Sequence, residues 1–310
     1  MFKLSTQEQL VNFYRDNVGQ NIILNETNPS YGLVQGGMKA ISETQLNLLK
    51  NASEILYEFN LFRRKKEEIE MNYDSIVNFP QEWKEKLKSA TGQDSTHLQE
   101  PAFIDCNRRL TNFLASLKTL IYDIIHIKYI GSELYGRESA EFEQYKERTK
   151  AWFDGHFAYR FFIRLRDYSI HSAMPIQIVH FSYDYDEGRN EKINVEIETK
   201  FRKSTFLAST KFNALRQDFE SYNDTFPLWP ILRDIKPIFE QILDAIVLVT
   251  EDRYITAAET IYNLVSDIPN PVTLSFGTIV QNSDTEYGVH SEIISVSSIN
   301  KIFEIRERLT

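Results

Sequence analysis

Asn107-Arg108-Arg109-Leu110-Thr111-Asn112-Phe113-Leu114-Ala115-Ser116-Leu117-Lys118-Thr119-Leu120-Ile121-Tyr122-Asp123-Ile124-Ile125 is the stretch on which the fold class turns. Leu110, Phe113, Leu114, Leu117, Leu120, Ile121, Ile124 and Ile125 recur at intervals of three and four, the period of a helix with one apolar face. Asp105 or Asn107 is placed to cap its N-terminus, and Ile130-Gly131-Ser132 is expected to stop it. A second long helix is expected from about Glu138, charged at first and then aromatic through Trp152, Phe153, Phe157, Tyr159, Phe161 and Phe162. The two helices should pack antiparallel. With no glycine-rich loop or metal ligands nearby, the aromatic half reads as core rather than as a cofactor box. Pro175 ends the second helix, because it disfavours an α conformation at Met174 and has no backbone N–H to donate.

Upstream, Leu46, Leu49, Ile55, Leu56, Phe59 and Phe62 form an apolar stripe that begins after Ser42, and this helix is expected to end before Pro80. Gly92, Asp94, Ser95 and Pro101 predict a loop over residues 90 to 106. The first forty residues, with Asn25-Glu26-Thr27-Asn28-Pro29 and Gly36-Gly37, read as loops or short strands packed onto something larger. Downstream the period changes. Ile176 to Tyr183 and Lys192 to Thr199 read as two strands of a hairpin around Asp186-Glu187-Gly188-Arg189-Asn190. Helices are expected near Ser209, from Pro230, and over about Thr256 to Ser266. After Pro269-Asn270-Pro271, Val272, Leu274 and Phe276 alternate like a strand, and Ile302, Phe303, Ile305 and Leu309 mark a last amphipathic stretch. The expected architecture is therefore mainly α: an arm at 1–41, a helical-bundle domain at 42–255 with a β-hairpin inserted at 176–201, and a small α+β appendage at 256–310.

The chain has 310 residues, a net charge of −9 and one cysteine, Cys106. That length buries a core without disulfides or metals, and a single cysteine excludes an intrachain disulfide, a redox pair and a multi-cysteine zinc site. The N-terminus lacks the basic-then-apolar pattern of a signal peptide, and no window is apolar enough for a membrane span, so a cytoplasmic location without membrane attachment is expected. An acidic chain with pI near 5.3 gains no long-range attraction to a phosphate backbone, so any nucleic-acid contact must be local. The basic runs Arg63-Arg64-Lys65-Lys66 and Arg108-Arg109 are short. Acidic residues follow the first at once, which makes it a solvated helix face.

Function is legible in one place, Arg166-Asp167-Tyr168-Ser169-Ile170-His171. An arginine and a histidine suit metal-free cleavage of an RNA phosphodiester: the imidazole takes a proton from the ribose 2′-hydroxyl or protonates the leaving oxygen, and the guanidinium stabilises charge on the phosphate. On an ideal helix Arg166 and His171 point about 140° apart, so a straight helix does not aim both at one substrate. A frayed last turn before Pro175, or a dimer that combines residues of two copies, would resolve this. Asp167 shares the face of His171 and is placed to orient it.

The passage Phe157-Ala158-Tyr159-Arg160-Phe161 through Leu165-Arg166-Asp167-Tyr168-Ser169-Ile170-His171-Ser172-Ala173-Met174-Pro175 resembles the Arg-polar-x-x-x-His signature helix of the HEPN superfamily. The helix from Asn107 resembles its partner helix in uncharacterised bacterial proteins of that type. The resemblance is best over residues 107 to 175 and loose to about 250. It implies a HEPN-like helical bundle in which Arg166 and His171 are the catalytic pair and Asp167 takes the polar position, where asparagine is more familiar. It further implies a dimeric, metal-independent endoribonuclease with RNA as substrate and no cofactor, in a toxin or defence setting with an antitoxin or regulatory protein as partner. The alternative it carries is a catalytically silent HEPN-like interaction or adaptor protein.

A rival enzyme reading lies in the hairpin, where Asp184 or Asp186 precedes Glu198-Thr199-Lys200 in the order used by metal-dependent nucleases. Alternating charges on an exposed strand face account for the same letters, and the fold context of such nucleases, a mixed sheet flanked by helices, is not expected here. Asp184, Asp186 and Glu187 lack the twelve-residue order of a calcium loop. His126, His156, His180 and His290 lack metal-ligand spacing, and no phosphate-binding loop or serine nucleophile motif occurs.

Overall fold

The computed structural model describes residues 7–26, 37–90, 96–186, 188–189, 191–250, 252–268, 273–284 and 286–310. Thr27 to Pro29 and Gly36, Gly92 to Ser95, Glu187, Asn190 and Pro269 to Val272, all assigned above to turns, loops or a strand start, lie outside the described residues. The protein is mainly helical with two small antiparallel sheets. In chain order it runs α1 Gln7–Asp16, β1 Asn21–Glu26, β2 Gly37–Ile41, α2 Glu43–Ser89, α3 Gln99–Lys118, a π-helix Thr119–Leu134, α4 Ala140–Gly155 and α5 Phe157–His171. It continues with β3 Ile178–Asp186, β4 Glu191–Arg202, α6 Lys203–Leu207, a 3-10 helix Thr210–Leu215, α7 Arg216–Phe219, β5 Thr225–Pro227 and α8 Leu228–Val249. It closes with α9 Arg253–Val265, β6 Thr273–Gln281, β7 Tyr287–Ile294 and α10 Val296–Leu309. Among the described residues no helix is long and apolar enough to cross a membrane.

The chain divides into two compact units, one of residues 1–63 and 250–310 and one of residues 64–249. The first joins the expected N-terminal arm to the expected C-terminal appendage. Its sheet has the order β2-β1-β6-β7, so β1 lies inside, paired to β6 with Ile23 opposite Phe276. Both of those side chains are fully buried, and Ile22, Leu24, Met38 and Ile279 form a cluster with Tyr14 of α1. This burial of β-branched and aromatic residues on both faces holds the chain ends in one sheet. Gly277 is required there, because a Cβ would collide with the His290 carbonyl across the strand pair. Ser42 and Gln45 cap α2 reciprocally: the Gln45 amide N–H donates to Ser42 Oγ at 3.2 Å, and the Ser42 N–H donates to Gln45 Oε1 at 2.9 Å.

The second unit carries the signature helix. α2 does not end before Pro80 but continues to Ser89. Pro80 cannot donate to the Ile76 carbonyl and crowds that turn, which ordinarily costs about 3 kcal/mol. Two features offset this cost. Phe79 just before the proline and Trp83 and Leu87 beyond it are buried, and Arg109 of α3 donates Nη1 to the adjacent Ser75 carbonyl at 2.6 Å. Helix α3 likewise starts earlier than expected, at Gln99. Pro101 falls in its first turn, where a missing N–H loses nothing. Asp105 and Asn107 are thereby inside the helix and do other work. Gly131 does not stop the next helix either: the chain stays helical to Leu134, and Gly131 is pressed against the ring of Phe142, which leaves no room for a side chain. The expected second long helix is two helices, because the backbone at His156 is extended (φ −125°, ψ 108°).

The expected hairpin is a three-stranded sheet, β3-β4-β5, whose third strand was not foreseen. Its reason is Phe161. Phe201 of β4, Phe206 of α6, Phe212 of the 3-10 helix, Phe219 of α7 and Phe226 of β5 all place their rings within 5.1 to 6.1 Å of the Phe161 ring. The short elements between 201 and 227 wrap this one side chain of α5, and each fully buried phenylalanine is worth roughly 1.5–3 kcal/mol in transfer free energy. On the adjoining face of α5, about 100° round the helix, Phe162 meets Phe113 of α3, edge to face at 5.7 Å, and Phe113 meets Phe239 of α8 at 5.8 Å. Helix α5 is therefore packed on two adjoining faces, and the aromatic half of the expected second helix is core.

Candidate functional site

Both ends of α5 are tied down by side chains. At the start, Arg160 donates to the Phe153 and Asp154 carbonyls at 2.5 and 2.9 Å, satisfying the last turn of α4, and pairs with Asp218 at 2.8 Å. Beyond the end, the amide of Asn107 grips Ile176 through both its backbone groups: the Ile176 N–H donates to Oδ1 at 2.8 Å, and Nδ2 donates to the Ile176 carbonyl at 3.3 Å. The Ser172 N–H still reaches the Tyr168 carbonyl at 2.9 Å, so the helix closes regularly rather than fraying. The last turn of α5 is thus a fixed platform.

Arg166 and Asp167 are brought together. Arg166 Nη1 lies 3.2 Å from Asp167 Oδ1, and Lys118, in the last turn of α3, donates Nζ to the same oxygen at 2.7 Å. Lys211 of the 3-10 helix donates Nζ to the Asp167 backbone carbonyl. All are partly buried, the Lys118, Arg166 and Asp167 side chains being 20, 22 and 27% exposed. Burial pushes the Asp167 carboxyl up, but the ammonium of Lys118 and then the guanidinium of Arg166 outweigh it and hold the carboxyl below its usual range. The Arg166 Nε is buried without a hydrogen-bond partner.

His171 stands apart. It is exposed in the last turn of α5, flanked by exposed Ile170, Ser172, Ala173 and Met174, and forms no side-chain hydrogen bond among the described residues. Asp167 does not orient it, contrary to expectation, because the carboxylate is occupied by Lys118 and Arg166. The two cations that complete the cluster, Lys118 and Lys211, escaped sequence reasoning. They lie 49 and 44 residues from Asp167 along the chain, on segments with no chemical signature of their own.

The hairpin acids are not gathered. Asp184 accepts from Asn194 at 2.8 Å, Asp186 accepts from the Gly188 N–H of its own turn at 3.0 Å, and Glu198 pairs with Lys200 at 2.7 Å. Glu198 is opposite His180, four residues or about 13 Å along β3 from Asp184. Among the described residues no group of three or more histidine, cysteine or acidic side chains is placed to hold a metal ion. Cys106 is buried, and burial pushes its thiol up to about 12, which keeps it out of thiolate chemistry. No protein-family model, no curated protein and no solved structure matches this chain.

Proposed function

We propose that the chain is a HEPN-like, metal-independent endoribonuclease acting at the C-terminal turn of α5, in the cytoplasm and within a toxin or defence system controlled by a partner protein. The observation that carries the reading is His171: an imidazole held on a fixed helix end, open to solvent and free of intramolecular hydrogen bonds, one turn beyond a cationic cluster that contains Arg166. In this reading His171 takes the proton of a ribose 2′-hydroxyl, O2′ bonds to phosphorus, and the P–O5′ bond breaks with O5′ taking up a proton from water, to leave a 2′,3′-cyclic phosphate and a 5′-hydroxyl. A guanidinium stabilises the charge that grows on the non-bridging oxygens. The packing of α3, α5 and α8 around Phe113 supports a HEPN-like bundle.

The angular separation of Arg166 from His171 favours a site completed by a second copy, with exposed Ile170 and Met174 supplying apolar contact beside each histidine. The test is cleavage of a labelled RNA pool in EDTA by the wild type, by Arg166→Ala, by His171→Ala and by an equimolar mixture of the two variants. Wild-type cleavage with both variants inactive supports the reading, and recovery in the mixture supports a shared site; equal cleavage by wild type and His171→Ala removes it. A second reading, a catalytically silent adaptor, is favoured by the Arg166 to Asp167 ion pair, which gives the arginine a structural partner. It requires that none of the four samples cleaves.

A further inference from the structure

We infer that Lys118 and Lys211 form a phosphate-binding subsite for single-stranded RNA on the face of α5 that bears His171, and that Asp167 attenuates it. The inference rests on RNA being the substrate and names positioning groups that the Arg166 and His171 pair does not include.

The placement follows from helix geometry. Residues four apart share a face, so the side chains of Asp167 and His171 are neighbours, separated by one turn or about 6 Å along the axis, whereas Arg166 is turned away from His171. The group bonded to the Asp167 carboxylate at 2.7 Å is Lys118 Nζ. The Asp167 carbonyl, which in a regular helix accepts the His171 backbone N–H, also receives Lys211 Nζ. Two ammonium groups from α3 and from the 3-10 helix therefore converge on the turn that carries the imidazole. Within one chain, these lysines are therefore placed to meet a phosphate handled by His171, beside the Arg166 guanidinium that reaches the same Asp167 oxygen.

Charge balance supplies the second argument. Lys118, Arg166 and Lys211 carry three positive charges, and among the described residues the one carboxylate bonded to them is Asp167; the Lys211 ammonium is bonded to a neutral carbonyl. Partly desolvated cations in excess of their anions form a standing attraction for an oligoanion, in a protein whose overall charge of −9 provides none at long range. Asp167 Oδ1 serves both Lys118 and Arg166, so the carboxylate occupies the position a phosphate oxygen would take and competes with it.

The experiment is equilibrium binding of a fluorescent 2′-O-methyl oligouridylate, which lacks the reacting hydroxyl, across a range of salt concentrations, alongside cleavage of the unmodified RNA. Lys118→Gln and Lys211→Gln are each expected to weaken binding about 5- to 10-fold near 0.1 M salt and to lower the slope of log affinity against log salt by roughly 0.7. Lys118→Arg retains binding, and Asp167→Asn strengthens it. Lys146→Gln, at an exposed lysine paired with Glu143 on α4, leaves it unchanged. Thermal melts establish that the variants are folded, and the two charge-preserving or charge-raising variants keep the test decisive if a glutamine variant is not. Unchanged binding in folded Lys118→Gln and Lys211→Gln, weaker binding in Asp167→Asn, or a wild type that does not bind overturns the subsite. Failure of cleavage with the binding pattern intact removes the nuclease reading alone.

Discussion

Two charged clusters in the same unit are mirror images of each other. Around Arg109 one cation meets two carboxylates: Nε lies 3.0 Å from Asp105 Oδ2 and Nη2 lies 2.5 Å from Glu82, while Nη1 takes the Ser75 carbonyl. Around Asp167 one carboxylate meets two cations, Lys118 and Arg166, and a third, Lys211, takes its backbone carbonyl. The Arg109 side chain is only 9% exposed, and its charge is answered by Asp105 and Glu82; the Lys118 and Arg166 side chains are 20 and 22% exposed, and their cluster is positive in balance. A buried cation answered by carboxylates is what a fold needs to hold α2 to α3, whereas a cluster with unanswered positive charge is what an anionic ligand needs. The contrast separates stability from function more sharply than the basic letters Arg108-Arg109 and Arg166 do in the sequence.

The hypothesis can be broken from the Arg109 side first. Arg109→Ala removes three side-chain contacts at once, to Asp105, Glu82 and the Ser75 carbonyl, while Asp105 keeps Trp83 Nε1 at 2.9 Å and Arg108 at 2.6 Å, and a loss of about 1–3 kcal/mol in denaturant unfolding is expected. A loss below about 0.5 kcal/mol would show that the hub is not structural.

Next in size is His126. It is 4% exposed, stacked on Phe142 with ring centroids 4.0 Å apart, and among the described residues neither ring nitrogen has a hydrogen-bond partner. Burial lowers its pKa below the ordinary value near 6.5, so the unfolded chain binds the proton more readily. Its contribution is fully present above the unfolded pKa and is lost as pH falls below about 6.5. His126→Phe is expected to gain about 1 kcal/mol at neutral pH and to flatten stability against pH between roughly 5 and 7; an unflattened profile contradicts the burial argument.

The carboxylates extend the comparison to acid. The guanidinium of Arg109 holds Glu82 below its usual range, and the Asp105 carboxyl, which burial raises, is lowered by Trp83, Arg108 and Arg109. Stability from Glu82, Asp105 and Asp167 is present above the unfolded carboxylate pKa of about 4 and is lost as pH falls through the lower folded values. Arg109→Ala should shrink that acid-dependent loss, while Lys118→Gln should change it less, because Arg109 serves two carboxylates whereas Asp167 keeps Arg166 when Lys118 is replaced. The smallest effect is Lys118→Gln at neutral pH, expected to cost under about 1 kcal/mol although it weakens RNA binding. A large loss of stability with no change in binding would place Lys118 among the structural residues instead.

Legibility in the sequence followed the range of the interactions. The apolar faces of α3 and α8 could be read because a period of three and four is a local signal. Pro80, Pro101 and Gly131 misled the helix boundaries because distant groups settle them: Arg109 at the Ser75 carbonyl and the buried Phe79 and Trp83 offset the proline, and the Phe142 ring occupies the space a Gly131 side chain would need. The union of β1 with β6 was invisible because strand pairing across most of the chain leaves no local mark. At the candidate site, Arg166, Asp167 and His171 were legible as a spacing on one helix. Lys118 and Lys211 were not, because only the packing of α3 and the Phe161-centred elements against α5 brings them to Asp167.

The most direct measurement is the chemistry of the RNA ends after incubation with purified protein in EDTA. Cleavage at α5 requires 2′,3′-cyclic phosphate and 5′-hydroxyl ends from the wild type and their absence with folded His171→Ala. The same ends at the same rate from His171→Ala, or no cleavage by the wild type with its partner protein removed, would contradict it.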